Sequence, residues 1–441
     1  MKSVTEKSMD YNKRIKINFE GGNLTSDAGL LLYKEFDEKI GFSQTIRQML
    51  KIKDPVSHHT HTNEDVMIQK IYQHLVGYHT DDHADELKNE PVFTTILEKE
   101  RLASQPTLSR LNQKFDKEAM KQLQSINRIL LDRIIHKIQP ADSFVWDLDS
   151  SNFATYGQQH GAAFNSHYQT NGYHPLFMFD GLTGDCIKGE LRSGNVYTSR
   201  QVVRFVGPEI KRFKKKCPGA TICIRADSGF AVPELYELAE THGVNYVIRL
   251  KANARLKAKA QEIEETLREQ YDLNTTERKV FYKEFLYQAA RWNQPRRVVV
   301  KIEKPEGELF SIYTFIVTNL KLSPKNIVMF YQNRGTMENF IKEGKYGFAF
   351  DHMNSSDFYI NACKFQLAIL AYNFHNWFRR LCLPKKLKTN RIETLRTKLI
   401  KIAGKIVNTG RYTIFKLCSS CLYQQAFWKT IHKIQQLPGF L

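Results

Sequence analysis

The stretch from residue 220 to residue 250, "ATICIRADSGFAVPELYELAETHGVNYVIRL", decides the fold class. The apolar run "ATICIRAD" predicts a buried strand, "PELYELAETHG" predicts a helix that stops at Gly243, and "VNYVIRL" predicts another strand. A helix between two such strands is typical of α/β proteins. The first of these strands ends in Asp227, directly before Ser228 and Gly229.

The residues before this stretch extend the pattern. We predict three strands in "SFVWDLDSS" (143–151), "HPLFMFDG" (174–181) and "DCIKGELR" (185–192), with a hairpin turn at "GLTG" between the last two. Residues 198–215 suit a helix. From residue 143 onward the predicted order is therefore three strands, helix, strand, helix, strand, which indicates a mixed α/β sheet.

The flanking segments differ from this core. Residues 63–135 predict mainly helices, and residues 14–20 alternate like a strand. Residues 251–320 read as β-rich because of "KVFYKEFLY", "RRVVVKIEK" and "SIYTFIVTNL". Two further helices are predicted, one with "YQNRGTMENFIKEGK" (331–345) and one with "INACKFQLAILAYNFHNWFRRL" (360–381).

The composition points to a polyanionic partner. The net charge is +19, and the sequence pI is about 9.4. From Arg379 to the end the chain has 14 Lys or Arg and one acid, Glu393. Seven scattered cysteines fit a reducing cytoplasm, and the polar start and short apolar runs predict a soluble protein.

Acidic residues stand at the ends of two predicted strands. Asp147 and Asp149 alternate on one strand, so they point to the same face, and Asp227 ends another strand. Sites in open α/β sheets usually form at the carboxyl ends of strands. Carboxylates gathered there can hold Mg²⁺, and two such ions can assist an in-line displacement at phosphorus. The alternative is that Asp149 and Asp227 only cap turns.

The stretch 331–345 adds Tyr331, Arg334, Glu338 and Lys345 at offsets of three, seven and fourteen. On one α-helix these offsets would place all four side chains on a single stripe. An ordinary alternative exists for Arg334 and Glu338, which are an i, i+4 pair of a common stabilising type. Gly344 could also end the helix and leave Lys345 on a loop.

The run Tyr331-x₂-Arg334-x₃-Glu338-x₆-Lys345 resembles the Tyr-Arg-Glu-Lys motif of bacterial insertion-sequence transposases with a DDE triad, a cut-and-paste group. Four other segments are similar to one branch of that group: "NFEGGNLTSDAGLLLYKEFDEKIGF", "DLDSSNFATYGQQHGAAFNSHYQTNGYHPLFMFDG", "IRADSGF" and "MENFIKEGKYGFAFD". The similarity runs from about residue 17 to at least residue 375. It implies an RNase H-like core with a β-rich insertion before the glutamate helix.

The resemblance also implies a catalytic triad. Asp149 would be the first acid because the family pattern is Asp-x-Thr/Ser and Ser151 fits it, while Asp147 remains the alternative. Asp227 would be the second acid and Glu338 the third. Together they would bind two Mg²⁺ ions, for which Mn²⁺ could substitute.

The expected DNA contacts fall in three places. The resemblance assigns the phosphates of the transposon end to Tyr331, Arg334 and Lys345. The resemblance also implies that an aromatic residue of the insertion can hold a base flipped out of the duplex end. Trp292, in "AARWNQPRR", is the candidate for this stacking, with packing inside the insertion as the alternative. Arg110, in "ASQPTLSRLNQKF", is expected at an exposed helix start like that of a helix-turn-helix, although short turns also join helices in bundles.

We therefore predict five parts of the chain. They are a mainly helical N-terminal DNA-binding domain at 1–140, an RNase H-like core in two parts at 141–250 and 326–384, a β-rich insertion at 251–325, and a basic region at 385–441 for DNA contact or dimerisation.

The predicted function is that of a DNA transposase. It would bind the terminal inverted repeats of its element and target DNA as a homodimer, cut strands and join them. The expected location is the bacterial cytoplasm, at the nucleoid when DNA is bound. Two alternatives remain, an RNase H-like nuclease without strand transfer and a non-catalytic DNA-binding protein from a decayed element.

Overall fold

A computed structural model describes residues 6–54, 59–270, 277–308 and 310–439. Its helices are α1 (Leu30–Ile40), α2 (Phe42–Met49), α3 (Asn63–Val76), α4 (His83–Glu86), α5 (Pro91–Ile96), α6 (Gln105–Gln113), α7 (Lys117–Arg133), α8 (Val202–Lys216), α9 (Pro233–Thr241), α10 (Ala254–Gln270), α11 (Pro324–Gln332), α12 (Gly335–Phe348), α13 (Phe358–Cys382), α14 (Lys385–Lys388), α15 (Ile392–Leu395) and α16 (Gln424–Gln436). Its strands are β1 (Lys7–Ser8), β2 (Lys16–Ile17), β3 (Leu24–Thr25), β4 (Ser143–Ser150), β5 (Phe153–Ala154), β6 (Ala163–Asn165), β7 (Thr170–Tyr173), β8 (Leu176–Asp180), β9 (Cys186–Glu190), β10 (Thr221–Ala226), β11 (Asn245–Leu250), β12 (Lys279–Tyr287), β13 (Arg296–Lys304), β14 (Ile312–Thr318), β15 (Gly404–Asn408) and β16 (Thr413–Leu417).

The predicted mixed α/β sheet is confirmed. Within the described ranges, eight strands form one sheet in the order β12-β13-β14-β11-β10-β4-β8-β9. Strand β10 pairs in parallel with both β4 and β11, whereas β8, β9 and the strands beyond β11 pair antiparallel. The predicted hairpin at "GLTG" joins β8 to β9, and α8 and α9 follow as the helices of the predicted order.

The two faces of this sheet are apolar, which is why its central strands read as continuous hydrophobic runs. On one face, Phe144 and Trp146 of β4 pack against Phe213 of α8, with ring centroids 4.9 and 5.0 Å apart. Tyr236 of α9 stacks on Tyr246 of β11 at 5.3 Å. A smaller apolar cluster on other residues of the sheet includes Ile327 and Val328 of α11.

The segment read as β-rich contains its three predicted strands, but it begins with a helix that the sequence analysis missed. About half of the residues of α10 are charged, and Leu256, Ala260 and Leu267 are the apolar side chains that it buries in the core. Strand β14 pairs antiparallel with β11, so the strands of this segment extend the main sheet. The strand expected at residues 14–20 is shorter than predicted, since β2 covers only Lys16–Ile17.

The chain divides into two compact units. One contains Met1–Ile126, Gly347–Ala349 and Leu370–Leu441, and the other contains Asn127–Tyr346 and Phe350–Ile369. These bounds differ from the predicted borders at 140/141 and 384/385. The difference arises because the C-terminal residues belong to the same unit as the N-terminal helices.

The first unit is held together by contacts between its two ends. Tyr33 and Phe36 of α1 pack edge-on against Phe374 and Phe378 of α13, at centroid distances of 4.7 to 5.7 Å. Strand β15 pairs with β3. A Cβ atom at Gly29 would lie 1.9 Å from the carbonyl oxygen of Leu399, so this approach requires glycine.

Within the described ranges, no helix combines the length and the apolar character needed to cross a bilayer.

Candidate active site

Two neighbouring parallel strands carry Asp149 and Asp227 to one edge of the sheet. In the β4–β10 pairing, Asp147 lies opposite Arg225 and Leu148 lies opposite Ala226. The next position along both strands is therefore that of Asp149 and Asp227. Adjacent strands are about 4.8 Å apart, so these acids lie side by side at the carboxyl ends of β4 and β10.

Asp149 is mostly buried and paired. Arg334 Nη2 lies 2.8 Å from Asp149 Oδ2, and the Ser150 backbone N–H donates to Oδ1 over 2.9 Å. Burial raises the pKa of Asp149 to about 6, with the charges of Asp227 and Glu338 acting in the same direction and Arg334 opposing them. The three acids and Arg334 therefore share one electrostatic environment.

Asp227 also has a local structural task. One of its oxygens accepts a hydrogen bond of 2.9 Å from the Gly229 backbone N–H and so caps the short 3₁₀ turn Ser228–Phe230. This hydrogen bond is the turn cap that the sequence analysis gave as the alternative role of Asp227. It leaves the other carboxylate oxygen without a hydrogen-bond partner among the residues that the structure describes.

Glu338 is exposed in the first turn of α12, where the helix dipole favours a negative charge. The prediction of one helix through residues 331–345 is wrong. Tyr331 lies in the last turn of α11, Arg334 lies between the helices, and only Glu338 and Lys345 share α12.

The break between the helices has a cause on β10. The Arg225 guanidinium donates to the carbonyl oxygens of Phe330 at 2.8 Å and Asn333 at 3.3 Å. In a continuous helix the Phe330 carbonyl would instead accept from the Arg334 backbone N–H. The Arg334 N–H instead donates over 2.9 Å to the Tyr331 carbonyl oxygen, three residues earlier, which closes a turn that is tighter than an α-helical turn.

Gly344 does not end the helix, because α12 continues to Phe348. Lys345 is nevertheless not free, since its Nζ donates over 2.8 Å to the carbonyl oxygen of Asn152 and lies 5.3 Å from the Phe153 ring centre. Burial lowers its pKa. In this structure Lys345 therefore holds the main chain that follows β4.

Asp147, the alternative first acid, is fully buried. Its two oxygens accept from Nε and Nη2 of Arg225 at 2.6 and 2.7 Å. A Cβ atom at Gly181 would lie 2.4 Å from Asp147 Oδ2, so the surrounding chain closes tightly around this pair. Of the two aspartates on β4, only Asp149 reaches the edge of the sheet.

Trp292 lies in the connection between β12 and β13 and is only 7% exposed. Tyr236 and Tyr287 both contact its ring edge-to-face at 5.5 Å, and the Arg296 guanidinium lies 5.4 Å from its centre. In this structure the ring packs inside the predicted insertion and offers no free face to a base.

Arg110 is exposed in the last turn of α6, not at its start. Its Nη2 lies 3.1 Å from the Thr107 hydroxyl. The side chain is accessible, and its contact with DNA stays a prediction.

Sequence reasoning missed Tyr168 at this site. Tyr168 lies between β6 and β7, and burial together with the charges of Asp149 and Asp227 raises its pKa. The only signal in the sequence is an aromatic residue at a hairpin turn in "NSHYQTNGY".

The carboxylates fit Mg²⁺ chemically, because this ion prefers oxygen ligands. The positions of the carboxylates do not by themselves form a complete metal site. Among the described residues, no group of three or more His, Cys, Asp or Glu side chains is arranged to hold a metal ion. Arg334 occupies Asp149 Oδ2, so a metal ion bound to that oxygen would have to replace it.

Enzymes that transfer phosphoryl groups use carboxylates to bind metal ions and arginine to bind phosphate. Both residue types meet at this edge of the sheet. The chain belongs to the family described as "Transposase DDE domain group 1", whose model matches residues 7–439. It is thus a DDE transposase, and this family generally uses divalent metal ions.

No curated protein matches the chain. Among solved structures, the chain is similar to the piggyBac transposase in a cryo-EM synaptic complex with hairpin DNA. The identity is 18%, the match covers 85% of this chain and 80% of that chain, and the TM-score is 0.44.

Proposed function

We propose that this transposase binds the terminal inverted repeats of an insertion sequence and catalyses metal-dependent cleavage and transfer of DNA strands. The observation that carries the proposal is the position of Asp149 and Asp227 at adjacent strand ends, in the same electrostatic environment as Glu338. The net charge of +19 supports a nucleic-acid partner.

The catalytic and metal-binding residues in this proposal are Asp149, Asp227 and Glu338. They would hold two Mg²⁺ or Mn²⁺ ions, which when bound activate the attacking oxygen and stabilise the leaving one. An RNase H-like core is supported by the strand order around β4 and β10 and by the strands that precede α12.

Asp147 is a positioning residue in this proposal. Its pair with Arg225 holds β4 beside β10 under the two edge aspartates. The same arginine binds the carbonyl groups at the end of α11, so it also sets where Arg334 begins the turn toward Glu338. Lys345 supports the site through its hydrogen bond to the Asn152 carbonyl oxygen, in the main chain that follows β4.

Arg334 is the proposed contact for a DNA phosphate, with Tyr331 beside it. Phosphate and carboxylate compete for guanidinium groups because both accept paired hydrogen bonds. The buried Arg334 Nε–H has no hydrogen-bond partner in the described chain, so the side chain has a donor to spare. A phosphate that draws Arg334 away would free Asp149 for a metal ion.

The proposed partners are duplex transposon ends and target DNA, bound by a homodimer in a synaptic complex. The proposed location is the bacterial cytoplasm, at the nucleoid when DNA is bound. The basic segment after Arg379 is a further candidate for DNA contact or dimerisation.

The test uses the full chain and duplexes that carry the inverted repeats flanking its gene. With Mg²⁺ or Mn²⁺ we expect nicks at the repeat ends and covalently joined products, and with EDTA neither. Nicks without joined products would favour the nuclease alternative. A gel shift without nicks in either metal would favour the non-catalytic alternative.

A further inference from the structure

Strands β15 and β16 form a two-stranded ribbon whose base is fixed in the fold. Strand β15 is the middle strand of the sheet β16-β15-β3, and the Ile406 N–H donates over 2.8 Å to the Asn23 carbonyl oxygen, just before β3. The Cys418 N–H, directly after β16, donates over 2.8 Å to the Ala403 carbonyl oxygen. Gly404 and Ile406 are buried on the inner face. The base of the ribbon is therefore a settled part of its compact unit.

The tip of the ribbon is short and closed by hydrogen bonds. The Thr409 N–H donates over 2.8 Å to the Tyr412 carbonyl oxygen, and the Tyr412 N–H donates over 3.0 Å to the Thr409 hydroxyl oxygen. Only Gly410 and Arg411 lie between these two residues, and all four are exposed. Because the tip is already ordered, a partner that binds it meets a preformed surface and loses little affinity to ordering.

The outer face of the ribbon carries two lysines directly opposite each other. Lys405 of β15 pairs with Lys416 of β16, and the next pair on the same face is Val407 with Ile414. Both lysines are exposed. Like charges that are directly opposite destabilise an antiparallel pair of strands. The fold of the chain alone therefore does not account for this arrangement of charge.

The chain offers little negative charge to offset the two lysines. After Glu393 the sequence contains no Asp or Glu. Lys401, the cation that precedes the ribbon, is paired with the buried Asp27 at 2.8 Å. In the part of the chain that the structure describes, no ion pair involves the two ribbon lysines or Arg411. An anionic partner would therefore relieve a repulsion that the free protein retains.

Protection of a sheet edge is another common reason for an exposed lysine on a strand. Strand β16 is an edge strand of its sheet, so Lys416 alone would serve that purpose. Lys405 lies on the middle strand, which is paired on both sides. Edge protection therefore explains one lysine of the pair and not the other.

The dimensions and the chemistry of the ribbon fit duplex DNA. Strands of this length are about 17 Å long and lie about 4.8 Å apart. The major groove of B-DNA is about 12 Å wide and admits a two-stranded β-ribbon. Lysine donates to the O6 and N7 acceptors of guanine in that groove, and apolar side chains such as Ile414 contact the thymine methyl group. An arginine at the tip suits a backbone phosphate.

We propose that the β15–β16 ribbon enters the major groove of the transposon-end duplex, with Lys405 and Lys416 toward the base edges and Arg411 on a phosphate. The proposal rests on the proposed binding of transposon ends and adds the element and the groove through which that binding occurs. The positive charge of this face complements the polyanionic duplex, and the overall charge of +19 acts in the same direction.

The first test compares DNA binding with stability for the full chain in EDTA, where no cleavage is expected. The probe is a duplex that carries the inverted repeats flanking the gene. Lys405→Gln/Lys416→Gln should bind this duplex about tenfold more weakly than the wild type. Its midpoint of unfolding in urea should be no lower than that of the wild type, because the substitutions remove a repulsion.

The second test locates the contact in the major groove. The same duplex is made with 7-deazapurines, which lack the N7 acceptor of the major groove and keep every phosphate. The wild type should prefer the ordinary duplex about tenfold. Lys405→Gln/Lys416→Gln should lose most of this preference. A double variant that keeps the whole preference would overturn the assignment to the groove.

Lys117→Gln/Lys121→Gln is the matched control, because it removes the same charge from two exposed lysines of α7 in the same compact unit. Lys121 Nζ lies 3.2 Å from Glu118 Oε2, so these lysines belong to a surface of mixed charge. The control should bind the end duplex as the wild type does. An equal loss of binding in both double variants, or no loss in the ribbon variant, would overturn the proposal. A lowered urea midpoint in the ribbon variant would assign the lysines to the fold instead.

The ribbon and the proposed transposition chemistry fail separately. Wild-type protein that nicks and joins end duplexes, with a ribbon variant that binds them normally, would overturn only the role of the ribbon. Protein whose end binding depends on the two ribbon lysines, but which never nicks DNA with Mg²⁺ or Mn²⁺, would overturn only the proposed cleavage and strand transfer.

Discussion

At the scale of single residues, the ion pair between Arg334 and Asp149 links the proposed phosphate contact to the proposed metal ligand. Arg334→Ala should weaken binding of transposon ends and lower the slope of log K against log salt by about one, because one phosphate contact is lost. The measurement is end binding over a series of salt concentrations. Arg204→Ala, at an exposed arginine of α8, is the control. An unchanged slope for Arg334→Ala would remove Arg334 from the DNA contacts.

A substitution of Glu338 should distinguish DNA binding from DNA cleavage. Glu338→Gln should keep end binding and reduce cleavage by at least about a hundredfold, because an amide is a poor substitute for a metal-binding carboxylate. Gel shift and nicking assays on the same end duplex measure both properties. Glu234→Gln changes another exposed glutamate, in the first turn of α9, and should leave both end binding and cleavage unchanged. Nicking by Glu338→Gln at the wild-type rate would contradict the assignment.

Asparagine variants at the two aspartates of β4 should differ in their free energy of unfolding. Asp147→Asn leaves the buried Arg225 without its countercharge, so we expect unfolding in urea to cost about 3 kcal/mol less than in the wild type. Loss of cleavage by this variant would then follow from misplacement of the strands. A fully stable Asp147→Asn protein would contradict its positioning role.

The stability of Asp149→Asn relative to the wild type should depend on pH, although Arg334 loses its carboxylate partner in this variant. Burial raises the pKa of Asp149 to about 6, so the folded state favours the protonated acid, and the wild type loses this stabilisation as the pH rises from about 4 through 6. In EDTA the neutral asparagine should therefore raise stability relative to the wild type at pH 7, and less so at pH 4. Urea unfolding at both pH values measures this, and cleavage should be lost.

At the scale of elements, the packing of α12 includes a close contact between Gly344 and the Phe350 ring. A Cβ atom at Gly344 would lie 2.3 Å from the Phe350 ring, whereas nothing lies within 4 Å of one at Gly335. Gly344→Ala should destabilise the protein by about 1–3 kcal/mol through overpacking, although alanine is the better helix former. Gly335→Ala is the control and should be neutral or stabilising. Equal unfolding midpoints for the two variants would show that the Phe350 contact is easily relieved.

Prediction of elements succeeded where the pattern is local. The strands from β8 to β11 lie where their apolar runs indicate. A strand that is buried on both faces of a sheet has apolar residues at consecutive positions, and such a run is visible in the sequence. Helix α10 was missed because few of its residues are buried. The break between α11 and α12 could not be seen in 331–345, because Arg225, which binds the carbonyl groups there, lies more than a hundred positions earlier.

At the scale of the whole molecule, the division into units changes what a truncation would do. The basic segment 385–441 lies in the unit of the N-terminal helices, where β15 pairs with β3 and α16 packs on α1. Proteins that end at residue 384 should therefore unfold in their N-terminal part as well as lose basic residues. Limited proteolysis should reveal rapid cutting between α1 and α6. A truncated protein that resists proteolysis there would contradict this view.

The sequence by itself determined the mixed α/β class, the order of the strands and helices from residue 143 to residue 250, and the acids at the ends of two strands. These depend on local periodicity and on residue type. Only the tertiary structure decided that Asp147 pairs with Arg225 while Asp149 reaches the edge, and that Trp292 is buried. Each of these depends on contacts between distant residues, whose partners no local pattern encodes.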